Sequence, residues 1–406
     1  MKKTLDIALI WFTFITAFSL PFFLYSGDFS LAFFEAASAL TNVGMTFLTE
    51  DNSAYFFLYF YRAFISLFGG FLFLITLPYL ISTSDSFKFA IHENFPIKKA
   101  IYLYFFLFIL GVILYLFSGE SFYNSFVFSS LTVSTTGGVV IKNDAVRIAV
   151  FLMFMSAILP IFYAIFSIKN SGENNKNNYF NNLKFLLKSL LKRDQLRLFF
   201  AVFLFALFVL LLNKLPLDSA VFYILSFIST TGFITEDFFE NTNDAIFTLY
   251  ILAILGGFIG SVGGGIKLFR FIVLLKLIQS ELKRILHPRI ISVIKLNNRP
   301  IPPEISEKVL TYFFLYMSGL FATSFLISIF DVPYRHAAAM SISLFTGLGV
   351  LPDTFKTELF SNQFLQIFLS FVFLIARLKI FILFIIIQKL YEKIATLAGV
   401  HYWKKG

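Results

Sequence analysis

Apolar residues run through this chain in two lengths, and the lengths alternate. Long runs fall near residues 6–25, 54–82, 100–118, 145–168, 196–213, 245–279, 309–330 and 361–391, and short runs near 30–40, 121–133, 218–229 and 333–345. A helix needs about 20 mostly apolar residues to cross a bilayer, whereas a run of 10–14 suits a re-entrant or buried helix. The order long, short, long recurs four times. The pattern predicts an all-α integral membrane protein of about eight transmembrane helices plus four re-entrant pore helices. Each short helix has a polar residue near its start that could cap it: Ser30, Ser121, Asp218 or Ser219, and Asp331. The stretch "MKKTLDIALIWFTFITAFSL" reads as the first membrane helix rather than a cleaved leader, because no small-residue cleavage site follows.

Composition supports this class. The 406 residues are 58% hydrophobic and only 14% charged, where a soluble domain carries about 25% charged residues. The 60 phenylalanines read as lipid-facing bulk. The net charge of +10 would suit nucleic-acid binding if it were clustered for that purpose. Its distribution points elsewhere. The face joined by the short runs carries Asp28, Glu35, Glu50, Asp51, Glu120, Asp144, Asp218, Glu236, Asp237, Glu240, Asp244, Asp331, Asp353 and Glu358. Against these acids it has only Lys142, Arg147, Lys214, Arg335 and Lys356, out of 33 bases in all. Basic loops stay cytoplasmic, so the short runs enter from outside and both termini are expected in the cytoplasm. The basic loops 169–197 and 281–308 are then topology determinants, and "KNSGENNKNNYFNN" is a polar linker between two halves.

The ends of the short runs resemble one another. They read "SALTNVGMT", "LTVSTTGGV", "SFISTTGFI" and "SLFTGLGVL". Aligned, they give four tetrads: Thr41, Asn42, Val43, Gly44; Ser134, Thr135, Thr136, Gly137; Ser229, Thr230, Thr231, Gly232; and Thr346, Gly347, Leu348, Gly349. Non-helical backbone at membrane depth is tolerated only where it is buried in protein or lines a water-filled path. Four such loops around a pseudo-fourfold pore would turn carbonyl oxygens onto one line, with glycine permitting the turn and adding no side chain to block it. Rings of this kind replace the hydration shell of a cation. The short helices would point their partly negative C-terminal ends at the same place.

A second glycine cluster, "LGGFIGSVGGGIKLFRF", sits inside the long run at 245–279. Gly256, Gly257, Gly260, Gly263, Gly264 and Gly265, with Ser261 among them, should break that helix, since each glycine costs it about 1 kcal/mol relative to Ala. The break predicts a loop across the pore below the four tetrads, a candidate gate, with Lys267 directly after it. Arg377, in "FLIARLKIF", is a cation within a span and so a functional candidate. It could anchor the loop through its carbonyls or repel an ion beneath the tetrads. Arg62 lies early in its helix and either bonds groups beside the first tetrad or sits at the interface. The echo between "YRAFISLFGGFLF" and "LYILAILGGFIG" supports the repeat independently. The implied units are 1–99, 100–194 with the linker, 195–307 with the glycine-rich segment, and 308–406.

Some classes are excluded. There is no cysteine, and the four histidines lie far apart. No paired carboxylates or nucleophile motif marks a membrane enzyme, and no helix repeats Arg or Lys every third residue as a voltage sensor does. An alternating-access carrier built on midplane breaks fits less well than a channel.

The segments "SALTNVGM", "STTGG", "STTGFIT", "YRAFISLFGGF", "GGFIGSVGGGIK" and "ARLKIF" resemble the Trk/Ktr/HKT superfamily of potassium transporters, across essentially the whole chain. The resemblance implies the pore-forming subunit of a K⁺ uptake system in the bacterial inner membrane. It implies a homodimer with one pore per subunit, and a cytosolic RCK-type regulatory subunit through which alone a nucleotide would act. No covalent cofactor is implied; K⁺ is the ion at the filter carbonyls, with Na⁺ permeation or coupling left open. Carried over, Gly44, Gly137, Gly232 and Gly349 become filter glycines, Gly256–Gly265 the gating loop and Arg377 its partner. In the family, glycine at the first of these positions goes with K⁺ selectivity. The fourth tetrad departs from the pattern, so Gly347 and Gly349 compete for the filter role.

Overall fold

The structure, a computed structural model, describes residues 2–48, 56–82, 97–138, 140–141, 145–168, 194–235, 238–242, 245–287, 289, 293–297, 299–330, 332–350 and 362–378. The polar linker, Asp331 and the last span beyond Leu378 lie outside the described residues, as do several acids assigned to the outer face.

Helices follow the apolar runs closely. The first unit has α1 (Lys2–Ser26), α2 (Phe29–Leu40) and α3 (Phe56–Ser82). The second has α4 (Ile97–Phe117), α5 (Phe122–Ser134) and α6 (Ala145–Ile168). The third has α7 (Asp194–Leu212), α8 (Leu217–Ile228), then α9 (Ile246–Leu255) and α10 (Leu268–Leu286), which divide one apolar run. The fourth has α11 (Pro303–Ser328), α12 (Tyr334–Thr346) and α13 (Gln363–Arg377). A two-stranded hairpin, Lys295–Leu296 with Arg299–Pro300, joins the last two units. The fold is the expected all-α, multi-pass membrane architecture of four helix–pore loop–helix repeats.

Length separates the two helix kinds. α2, α5, α8 and α12 have 12, 13, 12 and 13 residues, about 18 Å at 1.5 Å per residue, against a hydrocarbon core of about 30 Å. Among the described residues, five helices are long and apolar enough to cross a membrane. Their outward faces carry phenylalanine: Phe106, Phe205 and Phe314 are each more than half exposed. Inside, one apolar core is built mainly from the first and fourth units together with the glycine-rich segment and α10, and a second mainly from the second and third units.

Of the three expected caps that fall on described residues, one forms as anticipated. Ser121 accepts from the Asn124 amide at 3.2 Å and starts α5. At α2 the cap is Asp28, whose Oδ1 accepts from the Ser30 amide at 2.8 Å; Ser30 lies inside the first turn and donates its hydroxyl to Asp28 and to Gln366. α8 and α12 follow Pro216 and Pro333 and have no side-chain cap bond. Proline fixes the extended entry backbone without a capping hydroxyl. Asp218 consequently falls in the first turn of α8, where it still complements the helix dipole.

Glu35 does not belong to the acidic outer surface assigned from sequence. It is 2% exposed, on α2. Its carboxylate accepts from Arg62 Nε of α3 (3.2 Å), the Phe47 amide (2.6 Å) and Thr46 Oγ1 (3.0 Å). Arg62, 1% exposed, also donates to the Met45 carbonyl at 3.1 Å, so the interfacial alternative for it is set aside. The pair pins the strand that leaves the first tetrad. Removing one partner of a buried pair leaves an uncompensated charge, costing about 3–5 kcal/mol. Arg62→Met should therefore lose that much stability in thermal unfolding in detergent, and Glu35→Gln combined with Arg62→Met should cost less than the two single losses added.

Candidate functional site

The site begins where the four short helices end. Each ends with the same backbone hydrogen bonds. Amides of Val43, Thr136, Thr231 and Leu348 donate five residues back, to Ser38, Leu131, Ser226 and Ser343. The residue before each donates three back: Asn42 to Ala39, Thr135 to Thr132, Thr230 to Phe227 and Gly347 to Leu344. These are Schellman ends, which require a left-handed residue. It is Asn42 (φ 58°), Thr135 (56°), Thr230 (57°) and Gly347 (72°).

This geometry separates the two glycines of the fourth tetrad. Gly347 occupies the helix-ending place held by Asn42, Thr135 and Thr230, and Gly349 the place of Gly44, Gly137 and Gly232. Gly44, Gly232 and Gly349 have φ of 89°, 66° and 69°. In the second unit the left-handed turn falls one residue later, at Gly138 (φ 80°), which accounts for the double glycine there.

The four loops meet. A Cβ added to Gly137 would lie 1.8 Å from the Leu348 carbonyl oxygen and 3.0 Å from that of Thr231; one on Gly232 would lie 1.7 Å from Leu348 O, and one on Gly349 2.3 Å from Val43 O. Third-position carbonyls of different units thus crowd the fourth-position glycines. First-position hydroxyls support the loops from behind. Ser134 bonds Thr136, and Ser229 bonds Thr231, each at 2.7 Å, while Thr41 and Thr346 bond back into their own helices. Ser38 donates to Met45 O at 2.5 Å and Ser226 to Phe233 O at 2.7 Å, so the first and third units hold the outgoing strand alike.

The glycine-rich segment lies against these loops. α9 stops at Leu255, the chain makes an excursion, and α10 starts at Leu268. The ends of the excursion close on each other: Ile266 N donates to Ile254 O (2.8 Å) and Lys267 N to Leu255 O (2.9 Å). Carbonyls left open by one half-helix are so met by amides that begin the other. The Gly264 amide donates to Thr230 Oγ1 at 2.8 Å. A Cβ on Gly264 would lie 2.0 Å from Thr346 O, and one on Gly263 2.4 Å from Ser229 O. Gly256 and Gly265 face each other, where a Cβ on Gly265 would lie 2.9 Å from the Gly256 Cα. Gly69 and Gly70, the matching pair of the first unit, stay inside unbroken α3, where Gly69 lets it pass close to the Leu40 carbonyl and Gly70 close to the Tyr104 hydroxyl. Two glycines permit a close crossing; six break the helix.

Arg377 ends α13 beside both structures. Nη1 donates to the Val262 carbonyl (2.9 Å) and Nη2 to Asn42 Oδ1 (2.7 Å), and the guanidinium stands 4.1 Å over the Phe73 ring. Asn42 Nδ2 in turn donates to Ser66 O (2.7 Å) and Thr136 Oγ1 (3.1 Å). The Lys267 ammonium folds back to Ser261 Oγ at 2.8 Å and to the Gly263 carbonyl. Arg377, Phe73, Lys267, Ser261 and Gly263 border one cavity of about 680 Å³, open mouth included, which Thr41, Gly260 and Thr346 also line. A Cβ on Gly257 would lie 3.4 Å from Ser261 Oγ and 3.6 Å from Ile228 O.

Sequence reasoning missed Arg270, which lines the same cavity. It is 5% exposed, donates to Ile266 O at 2.8 Å and stands 4.0 Å over the Tyr312 ring. Its only sequence signal is its place three residues after Lys267. Asn42 as the partner of Arg377 was equally hidden, 335 positions away.

Comparison with known proteins places this geometry. No family model matches the chain. Trk system potassium uptake protein TrkH of Salmonella typhimurium is 31% identical over 179 residues, 42% of this chain and 35% of that protein. TrkH of Escherichia coli K12 is 30% identical over 181 residues, 42% and 36% respectively. The crystal structure of the potassium transporter TrkH from Vibrio parahaemolyticus superposes with a TM-score of 0.76, over 95% of this chain and 84% of that one, at 23% identity. The chain is thus similar to these Trk potassium transporters in sequence over less than half of its length, and shares the fold of one of them over nearly all of it. The sequence matches span about a third of the length of these curated relatives, whereas the Trk fold extends over nearly the whole chain.

The two glycines of the fourth loop should respond differently to substitution. Gly347→Asn puts at Gly347 the residue type that the first unit already uses, and an added Cβ meets only Asn42 O at 3.3 Å. It should cost about 1 kcal/mol or less. Gly349→Ala drives a Cβ into the Val43 carbonyl and should lower the melting temperature in detergent by clearly more.

Proposed function

We propose that this chain is a Trk/Ktr-type transporter subunit and forms a channel-like path for K⁺ uptake across the cytoplasmic membrane. The observation that carries the reading is the convergence of four Schellman-ended loops, with carbonyls of Val43, Thr231 and Leu348 turned onto glycines of neighbouring units. Backbone oxygens held this way replace water around a dehydrated monovalent cation, and the C-terminal ends of four short helices add negative potential at the same point. The filter comprises the four tetrads, with Gly44, Gly137, Gly232 and Gly349 as the residues that admit the ion's path. The names of the relatives, potassium uptake proteins, support K⁺ as the ion, and describe transport rather than catalysis.

The glycine-rich segment acts as the gate. It lies across the inner end of the filter, tied to it by Thr230 and Arg377, and its glycines leave it free to be displaced without side-chain clashes. The acidic bias of the short-run face and the basic loops support a filter on the outer side and both termini in the cytoplasm. By family resemblance the protein works as a homodimer, and a cytosolic RCK-type subunit that binds nucleotide regulates the gate.

The test is ⁸⁶Rb⁺ uptake into proteoliposomes, with K⁺, Na⁺ or Li⁺ as competitor, for the native chain and Gly232→Ser. The proposal predicts uptake blocked by K⁺ and not by Na⁺, with this preference weakened at least several-fold by the substitution. Equal block by Na⁺ would leave a pore and remove K⁺ selectivity. Uptake indifferent to Gly232→Ser would remove the filter assignment.

A further inference from the structure

Two of the four tetrad loops are tied to the short helix before them by bonds that the other two lack. The tie is made by the residue six positions before the tetrad glycine. In the first unit Ser38 Oγ donates to Met45 O at 2.5 Å, and the Ser38 carbonyl accepts from the Gly44 amide at 3.4 Å. In the third unit Ser226 Oγ donates to Phe233 O at 2.7 Å, and the Ser226 carbonyl accepts from the Gly232 amide at 3.2 Å. Each serine thus grips a tetrad glycine and the residue after it together. Both serines are fully buried.

The second and fourth units have neither bond. Leu131 stands at this position in the second unit and has no hydroxyl. Ser343 stands there in the fourth, and its buried hydroxyl makes no hydrogen bond. Among the described residues, the amides of Gly137 and Gly349 and the carbonyls of Gly138 and Val350 make none either. A side-chain bond and a backbone bond therefore divide the loops in the same way. The division is diagonal. α3 packs on α5, α6 on α8, α9 on α12 and α13 on α2. The units follow one another round the axis in chain order, so the first stands opposite the third.

We propose that Ser38 and Ser226 are positioning residues for ion selection: they hold the first and third loops at a fixed separation across the pore, while the second and fourth loops are left free to follow the ion. This rests on the filter reading and adds that the filter is two-fold, not four-fold, in its rigidity. Na⁺ is smaller than K⁺ and is well coordinated only where the cage of oxygens closes in on it. Bonds to the helix behind oppose that closure on one diagonal. The untied loops on the other diagonal adjust to K⁺ as it sheds its water. Arg62 Nη2, which donates to Met45 O at 3.1 Å, adds to the hold on the first loop.

The experiment measures ⁸⁶Rb⁺ uptake into proteoliposomes with K⁺ or Na⁺ as competitor, for the native chain, Ser38→Ala, Ser226→Ala, Ser226→Thr and Ser343→Ala, with Gly232→Ser alongside. Ser38→Ala and Ser226→Ala should each weaken the preference for K⁺ over Na⁺ about fivefold, the worth of one hydrogen bond. Ser226→Thr keeps the hydroxyl and should keep the preference. Ser343→Ala removes no bond and should leave the preference at its native value. The preference is a ratio, so a smaller amount of folded protein does not alter it. Native preference in both Ser38→Ala and Ser226→Ala, with Gly232→Ser still weakening it, would overturn the braces and leave the filter standing. A loss in Ser226→Thr equal to that in Ser226→Ala would assign the effect to packing and overturn them too. Ser343→Ala acting as strongly as Ser226→Ala would overturn the two-fold division. A preference indifferent to Gly232→Ser would remove the filter reading beneath all of this.

Discussion

Backbone amides and carbonyls at membrane depth have no water to fall back on, and this constraint organises the molecule. Four times the chain enters, makes a helix too short to cross, and must leave through non-helical backbone. Each exit is made tolerable by the same pair of hydrogen bonds, five and three residues back into the short helix. The bonds consume the carbonyls inside each helix end and leave those of the loop free to face its neighbours. A structural necessity, ending a helix inside the membrane, thus produces the ring of oxygens that the proposed function uses. The glycines follow from the same logic, since the fourfold approach leaves less than a normal contact for any Cβ.

The interrupted helix α9–α10 meets the constraint differently. Its excursion closes on itself through Ile254 and Ile266, Leu255 and Lys267, so the helix can be broken without stranding its ends. The loop's remaining polar groups are met by long side chains and by the filter. Arg377 reaches Val262 and Asn42 together, so one guanidinium connects α13, the loop and the first tetrad. Thr230 connects the third filter turn to Gly264. Displacement of the loop would therefore change groups that shape the four tetrad loops, and on the proposed reading this would couple the gate to the ion path in short physical steps.

Much of this was legible in the sequence, for a physical reason. Spanning helices and short helices differ in apolar length, and the four tetrads stand at fixed places after the short runs, so α2, α5, α8 and α12 fell where the pattern put them. Six glycines in ten residues foretold the break between α9 and α10. What stayed hidden depends on distant partners. Glu35 looked like one more outer acid until Arg62, 27 positions on, buried it. Asn42 looked like an ordinary helix-ending residue, and its bond to Arg377 belongs to the fold alone. The caps misled because Pro216 and Pro333 start their helices through backbone restriction, which no side-chain donor or acceptor announces. The choice between Gly347 and Gly349 required the dihedral angles.

The central claim is that four backbone loops, one from each unit, hold the transported cation. It is tested most directly by diffraction from crystals grown in rubidium, using the anomalous signal of the ion. The account predicts a rubidium peak on the pseudo-fourfold axis within coordination distance of the carbonyls of Val43, Thr136, Thr231 and Leu348, displaced by excess K⁺. Rubidium bound elsewhere in the protein, with no peak among these four loops, would contradict it.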